Sequence, residues 1–322
     1  MRLLAHVLVG MAVVGAAAVA RAEDEDLTPL PLQPLPLARP ASRVVDTEPA
    51  PFPGACGAGP VPMLGERLPW GPGESLSWDV TLLGVRAGRV AARTDEPTRI
   101  DGVDVYPVRA RARTDSFLKA FGDFDASMVT FVDPRTSTPV RMANHVVSHE
   151  LFVDEPQVTR EDAAFSPSTV GAGGPRGGRV RGVFDHKGRG RKVHKEARVS
   201  SRAEVVDLLA VLPWLRSREL VAGRRFCVEL FHRRRLYRVE GVFGAVEVVQ
   251  VPAGQRRGRR IDAAVQRAEG RKPRALEVWL SDDDERVPLL VRSPEGVGSI
   301  ELRLAHHQRG RAASRPAAPP SP

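Results

Sequence analysis

Polar and apolar residues alternate with a period of two through most of this chain, and a strand is the regular element that turns such alternation into one buried and one wetted face. Leu76, Trp78, Val80 and Leu82 point one way while Ser75, Ser77, Asp79 and Thr81 point the other. The pattern recurs at 88–94, 103–114, 124–132, 139–148, 224–231, 236–243, 246–251, 260–268, 276–280, 288–292 and 299–304. Turn signals punctuate it, among them Asp101-Gly102, Asp133-Pro134, Glu240-Gly241 and Ala253-Gly254. Many short strands joined by brief turns predict an all-β fold: an antiparallel curved sheet, barrel-like or a half-open barrel. Aromatic content is only 5%, so its core must rest on Val, Leu and Ala. Trp78 and Trp279 are both expected in that core, although Trp279 shares a face with Glu277 and Ser281 rather than with Leu276, Val278 and Leu280.

One stretch has a helical period. Ser201 to Glu204 reads as a capping box, Val205, Leu208, Leu209 and Leu212 fall on one face, and Pro213 stops the run. A helix over 201–212 is predicted to plug or flank the sheet, and a shorter turn over 116–121 to close the other end.

The two ends have other compositions. Arg2, the apolar run Leu3 to Val19 and the small-x-small site Ala20-Arg21-Ala22, followed by Glu23-Asp24-Glu25-Asp26, form a secretory signal. Residues 1–22 are therefore expected to be removed and the mature chain to work in the periplasm, with no transmembrane segment left after cleavage. Residues 23–72 are rich in proline, as in Pro29-Leu30-Pro31-Leu32, and read as a disordered linker. The β domain spans 73–307, and 308–322 reads as a disordered tail.

Outside the cytoplasm, enzymes that need ATP or nicotinamide cofactors are disfavoured, and oxidation of thiols is allowed. Cys56 and Cys227 either pair, tying the arm to the barrel, or stay as two thiols. The net charge of +9 comes from 43 Arg and 5 Lys against 39 acids, and it is uneven: residues 171–202 hold ten Lys or Arg and two acids. A basic Gly/Arg-rich loop at about 171–191 is expected, and Arg176, Arg179, Arg181, Lys187, Arg189, Arg191 and Lys192 are its candidate anion-binding residues. They could attract an anionic envelope polymer, but a solvated loop explains them more simply. Without interleaved aromatics there is no specific signal for nucleic acid.

No catalytic or metal constellation emerges. His145 and His149 would lie about 13 Å apart on a strand, at ~3.3 Å per residue, too far for one ion. His306 and His307 point to opposite faces. The run from Asp282 to Glu285 lacks the spacing of a calcium loop. No G-x-S-x-G elbow surrounds a serine, and Ser299 reads as a strand residue; no phosphate-binding or dinucleotide glycine pattern occurs either, so no cofactor is expected.

The opening Gly73-Glu74-Ser75-Leu76-Ser77-Trp78-Asp79-Val80, with Leu83-Gly84-Val85-Arg86-Ala87-Gly88 after it, resembles the start of an exported bacterial family known as domain of unknown function 3108. Further matches follow in order: 110–114 before Phe117, Asp133-Pro134 before Pro139, the run 208–213 ending in Pro213, Val251-Pro252-Ala253-Gly254, and 279–283 before Val287-Pro288. The likeness covers about 71–306. Departures are the basic insertion and Gln255-Arg256, where the family has an aromatic residue. The resemblance implies a periplasmic curved or barrel-like sheet and brings no catalytic residues. The function expected is a non-enzymatic envelope module that binds an apolar or amphipathic component, such as a lipid or glycan, or a protein partner. The alternatives are a hydrolase of envelope glycan or lipid, using carboxylates such as Asp79, Asp123 and Asp125, and a structural scaffold.

N-terminal sequencing of the exported protein is expected to read from Glu23. A mature chain that still begins at Met1 or Arg2 would overturn the periplasmic assignment.

Overall fold

In the computed structural model, which describes residues 52, 56, 61–115, 122–150, 155–167, 177–268, 272–295 and 298–315, each alternating run becomes a strand. In chain order they are β1 (Arg67–Leu68), β2 (Ser75–Leu82), β3 (Val85–Thr94), β4 (Thr98–Ile100), β5 (Val103–Thr114), β6 (Gly122–Asp133), β7 (Thr138–Glu150), β8 (Gln157–Pro167), β9 (Gly178–Gly188), β10 (Arg191–Ser201), β11 (Val205–Asp207), β12 (Arg225–His232), β13 (Arg235–Val251), β14 (Gly254–Arg267), β15 (Arg274–Ser281), β16 (Pro288–Glu295), β17 (Gly298–Gln308) and β18 (Ala313–Ser314). The helix α1 (Val211–Arg216) lies between β11 and β12.

One sheet takes in all but β1 and β18, in the order β10-β9-β8-β7-β6-β5-β3-β2-β17-β16-β15-β14-β13-β12-β11, with β4 beside β5. Its neighbours are antiparallel except β11 and β12, which run parallel. Pairing of β17 with β2 joins the two ends of the domain in mid-sheet, Leu304 opposite Trp78.

The sheet curls until β11 reaches back to the β6–β7 region. There the Thr130 hydroxyl donates to Asp207 Oδ2 at 2.5 Å, and Asp207 Oδ1 accepts from the N–H groups of Leu209 and Ala210 at 2.8 Å each. Burial raises the Asp207 pKa, partly offset by these three donors. Beyond the seam β8, β9 and β10 continue over the outside of β11–β13. Ala163, Phe165, Val180 and Val199 of this outer lap pack on Val205, Phe231 and Leu236, and the rings of Phe165 and Phe231 meet edge to face at 6.1 Å. Gly182 is required here, because a Cβ on it would stand 2.9 Å from the Phe231 ring. The sheet thus closes by overlap, as a spiral.

α1 caps one end of the barrel. Its Arg216, 3% exposed, forks onto Glu74 at 2.7 and 2.9 Å and donates to the carbonyls of Pro69 and Glu285. Burial pushes the Glu74 carboxyl up, but the charge of Arg216 and hydrogen bonds from His307 and Arg216 outweigh it and hold the pKa below its ordinary value. The arm before β2 packs on the same end. Trp70 Nε1 donates to Ser217 Oγ at 3.0 Å, and β1 pairs with β18.

Four expectations change. Residues 201–210 are not helical: Val205 and Val206 of β11 pair with Glu229 and Leu230 of β12, and Ser201 Oγ accepts from the N–H of Ala203, forming a local turn. Glu204 reaches Trp214 and Arg218 instead of capping. The helix begins later and contains Pro213, which its first turn tolerates because an N–H there has no helical partner. Second, the basic stretch is not a loop over its described part: 178–188 is β9, and Arg191 opens β10. Third, residues 61–72 of the expected linker are ordered, with Trp70 buried. Fourth, the expected tail contributes Gln308 to β17 and 313–314 to β18. The expected turn at 116–121, the signal segment 1–22 and most of the proline-rich stretch lie outside the described residues.

The outer lap buries Glu161, whose Oε1 accepts from the Arg234 N–H at 3.0 Å and whose Oε2 lies 3.7 Å from His232 Nδ1. Burial raises its pKa from 4.5 to about 7, against the lowering pull of the Arg233 and Arg234 backbone and charges. The folded state therefore holds this proton more tightly than the unfolded chain, so stability from this group declines as pH rises from about 4.5 to about 7. Urea melts of Glu161→Gln are expected to lose that decline and to show higher stability than the parent at pH 8. An unchanged pH slope would show that Glu161 is ionised throughout.

Candidate functional site

The alternation that builds the wall also builds an interior. Inward side chains of β14 (Ile261, Ala263, Val265), β15 (Leu276, Val278) and β13 (Tyr237, Val239) face Trp78 of β2, Val90 of β3 and Ala110 of β5 across a cavity of about 460 Å³. Small residues leave this space open: Ala92, Ala110 and Ala263 stand where larger side chains would meet in the middle. Leu212, Trp214 and Leu215 form its floor at the α1 end. Trp78 is buried and donates from Nε1 to the Pro288 carbonyl at 2.8 Å, which fixes its ring as a wall of the cavity.

The opposite end differs in charge. β15 runs from Arg274 to Ser281, and the connection that follows it lies beside Arg216, so Arg274 and the preceding connection are at the far end from α1. Arg267, Lys272 and Arg274 line the cavity there. Among the described lining residues there is no Asp, Glu, His or Cys. This cationic rim was not read from the sequence. Its trace is an apolar inward stripe, Ile261-Ala263-Val265, that ends in Arg267 on the same face.

The residues singled out from sequence do not gather there. Arg179, Arg181, Lys187, Arg189, Arg191 and Lys192 are exposed along the β9–β10 hairpin, and Arg176 lies outside the described residues. Arg179 and Lys187 are eight residues apart, roughly 26 Å on a strand, so the set is a ribbon and not a pocket. Lys187 lies 3.8 Å from Glu155, and Arg198 stands opposite Arg181 on the β10 edge. Cys56 and Cys227 form a disulfide, which fixes the arm to the outer face of β12.

Asp123 and Asp125 do share a cleft, on the outer face of β6 and β7, with Ser127, His145 and His149. Asp125 is forked by Arg111 at 2.7 and 3.1 Å and approached by Arg113 at 3.5 Å. Burial and the charge of Arg160 lower the His145 pKa. Asp79 is three strands away on β2, roughly 14 Å at ~4.8 Å per strand, and faces Arg86 and Arg89. Among the described residues no group of three or more His, Cys, Asp or Glu could hold a metal. The Asp282–Glu285 run is a turn in which Asp283 Oδ1 accepts from Ser281 Oγ and the N–H groups of Glu285 and Arg286. His307 lies between Glu74 and Glu285, 3.4 and 3.7 Å away. Trp279 is buried, but on the outer wall, between the guanidinium groups of Arg260 and Arg292 at 5.5 and 5.2 Å.

Wall, floor and rim together define a barrel-like β protein with an internal apolar cavity. Residues 76–305 match the sequence profile described as protein of unknown function DUF3108, and the chain belongs to that family. No curated protein sequence matches it. Among solved structures it is similar to a beta-barrel-like protein of domain of unknown function DUF1849 from Brucella abortus, with 14% identity, 74% of this chain and 97% of that chain covered, and a TM-score of 0.45. Two more are a "putative lipoprotein" of Parabacteroides distasonis (8% identity, 76% and 100% covered, TM-score 0.31) and a "putative exported protein" with a YmcC-like fold from Bacteroides fragilis (9%, 76% and 100%, 0.30).

Because Trp78 is both wall and hydrogen-bond donor, Trp78→Ala is expected to destabilise the protein by about 3–5 kcal/mol in chemical denaturation. A loss under about 1 kcal/mol, far below that range, would mean that the wall does not depend on this ring.

Proposed function

We propose that this is an exported envelope protein that holds an apolar or amphipathic envelope molecule inside its barrel, as a binding module and not as an enzyme. The observation that carries this is the cavity of about 460 Å³, within the usual ~300–1,000 Å³ of small-molecule sites and walled almost wholly by Leu, Val, Ala, Ile and aromatic side chains. Among the described lining residues there is no carboxylate or imidazole to act as a general base on its contents, which favours retention over turnover. The signal pattern over 1–22 and the Cys56–Cys227 disulfide support a periplasmic site of action, since disulfides persist in oxidising compartments.

A hydrolase reading draws on Asp123, Asp125 and the two histidines in the outer cleft. It is weaker, because Arg111 and Arg113 already engage Asp125.

Native mass spectrometry of protein purified from its own periplasm is the direct test. An adduct lost on denaturation and identified as a lipid, absent from an Ala263→Trp variant that fills the cavity, is expected. Ligand-free protein that also fails to enhance an apolar fluorescent probe would overturn the proposal.

A further inference from the structure

Resting on the cavity as the binding site, we infer that its occupant is a single-chain amphiphile with an anionic headgroup, the chain in the barrel and the headgroup at Arg267, Lys272 and Arg274. The cavity is polarised along its length. Its floor is Leu212, Trp214 and Leu215, its middle is apolar on every side, and its three charged lining residues are all cations, gathered at one end. A ligand apolar throughout would lie against those cations and gain nothing from them. A polar neutral head would gain hydrogen bonds, but an anion gains attraction from all three, strengthened by the low-dielectric wall beside them.

Shape gives the chain number. Ile261 and Arg267 both line the cavity on one face of β14, six residues apart, so it extends roughly 20 Å at ~3.3 Å per residue. Some 460 Å³ spread over that depth makes a long, narrow space that suits one extended hydrocarbon chain better than a fused-ring lipid or paired chains. Ser293, buried near the same end, adds a hydroxyl that donates to the Ala275 carbonyl at 3.5 Å and supports the rim strand rather than the ligand.

The class defined is a monoacyl anion, which a long-chain carboxylate and a monoacyl phosphate ester both satisfy. Palmitate, monopalmitoyl phosphatidic acid and monopalmitoyl glycerol share the same chain, and they can be compared by displacement of an apolar fluorescent probe from the full mature protein. At least one anion is expected to bind about tenfold or more tightly than the neutral glyceride at low salt, with the advantage shrinking as salt rises. The tighter of the two anions identifies the headgroup. Lys272→Glu, at an exposed position, and Arg274→Gln are expected to remove most of that advantage, read as the ratio of anion to glyceride affinity in each variant. Equal binding of the glyceride and both anions, or an advantage untouched by either substitution, would overturn the headgroup assignment and leave the apolar site standing. Failure of all three amphiphiles, alike in the parent and in Ala263→Trp, would overturn the site itself.

Discussion

A sheet with this many strands has two free edges, and each unpaired edge is a row of backbone donors and acceptors that invites pairing with another chain. The protein resolves one of them by laying its own far end over it. The β11 edge is anchored by Asp207 to Thr130 and then covered by β8–β10, whose apolar face packs on Phe231, Leu236 and Val205. The overlap needs a close approach, supplied by Gly182 against the Phe231 ring. The other edge, β10, pairs with no further strand among the described residues and carries Arg191, Lys192 and Arg198 at exposed positions. Charges of one sign along an edge oppose docking of a second copy, which gives the basic stretch a structural purpose that requires no anionic partner.

Overlap fixes the girth of the barrel but leaves its ends open, and the ends are treated oppositely. At one end Arg216 is taken out of water and satisfied by Glu74 and two carbonyls, a set that ties α1, the arm before β2 and the β15–β16 connection together. Removing one partner from such a buried pair leaves the other charge uncompensated, which is why α1 is held as a fixed floor. Nothing comparable among the described residues crosses the other end. The interior stays unfilled because the wall is made of Val, Leu and Ala, with few rings to reach the axis.

The strands β2, β3, β5–β7 and β12–β17, their faces and the burial of Trp78 were legible in the sequence, because a period of two survives any tertiary arrangement. The β11–α1 segment was not. Val205, Leu208, Leu209 and Leu212 have helical spacing, but the parallel pairing of Val205–Asp207 with β12 and the burial of Asp207 at the seam override it. Those are contacts with residues far away in the chain. The β9 strand was hidden for a different reason: its outward face is so basic that it reads as solvated, while its inward face needs only Val180 and Gly182 to pack against β11–β13 beneath, with Phe184 under the Arg234 guanidinium. The rim escaped notice because Arg267, Lys272 and Arg274 are ordinary residues in and beside the β14–β15 connection until the sheet curls and gathers them at one end of the cavity.

Arginine abundance therefore has two meanings in this protein. On the outer wall the guanidinium groups are matched to nearby carboxylates, most of them across neighbouring strands: Arg109 to Asp95, Arg111 to Asp125, Arg260 to Asp262 and Glu277, Arg292 to Glu277 and Glu301. Such partly exposed pairs contribute little each, on the order of 1 kcal/mol or less, yet they set acids beside the two cations that flank Trp279. At the cavity rim the same side chain stands beside an apolar wall that carries no acid among its described residues. Location, not number, separates the arginines of the outer wall from those gathered at one end of the cavity.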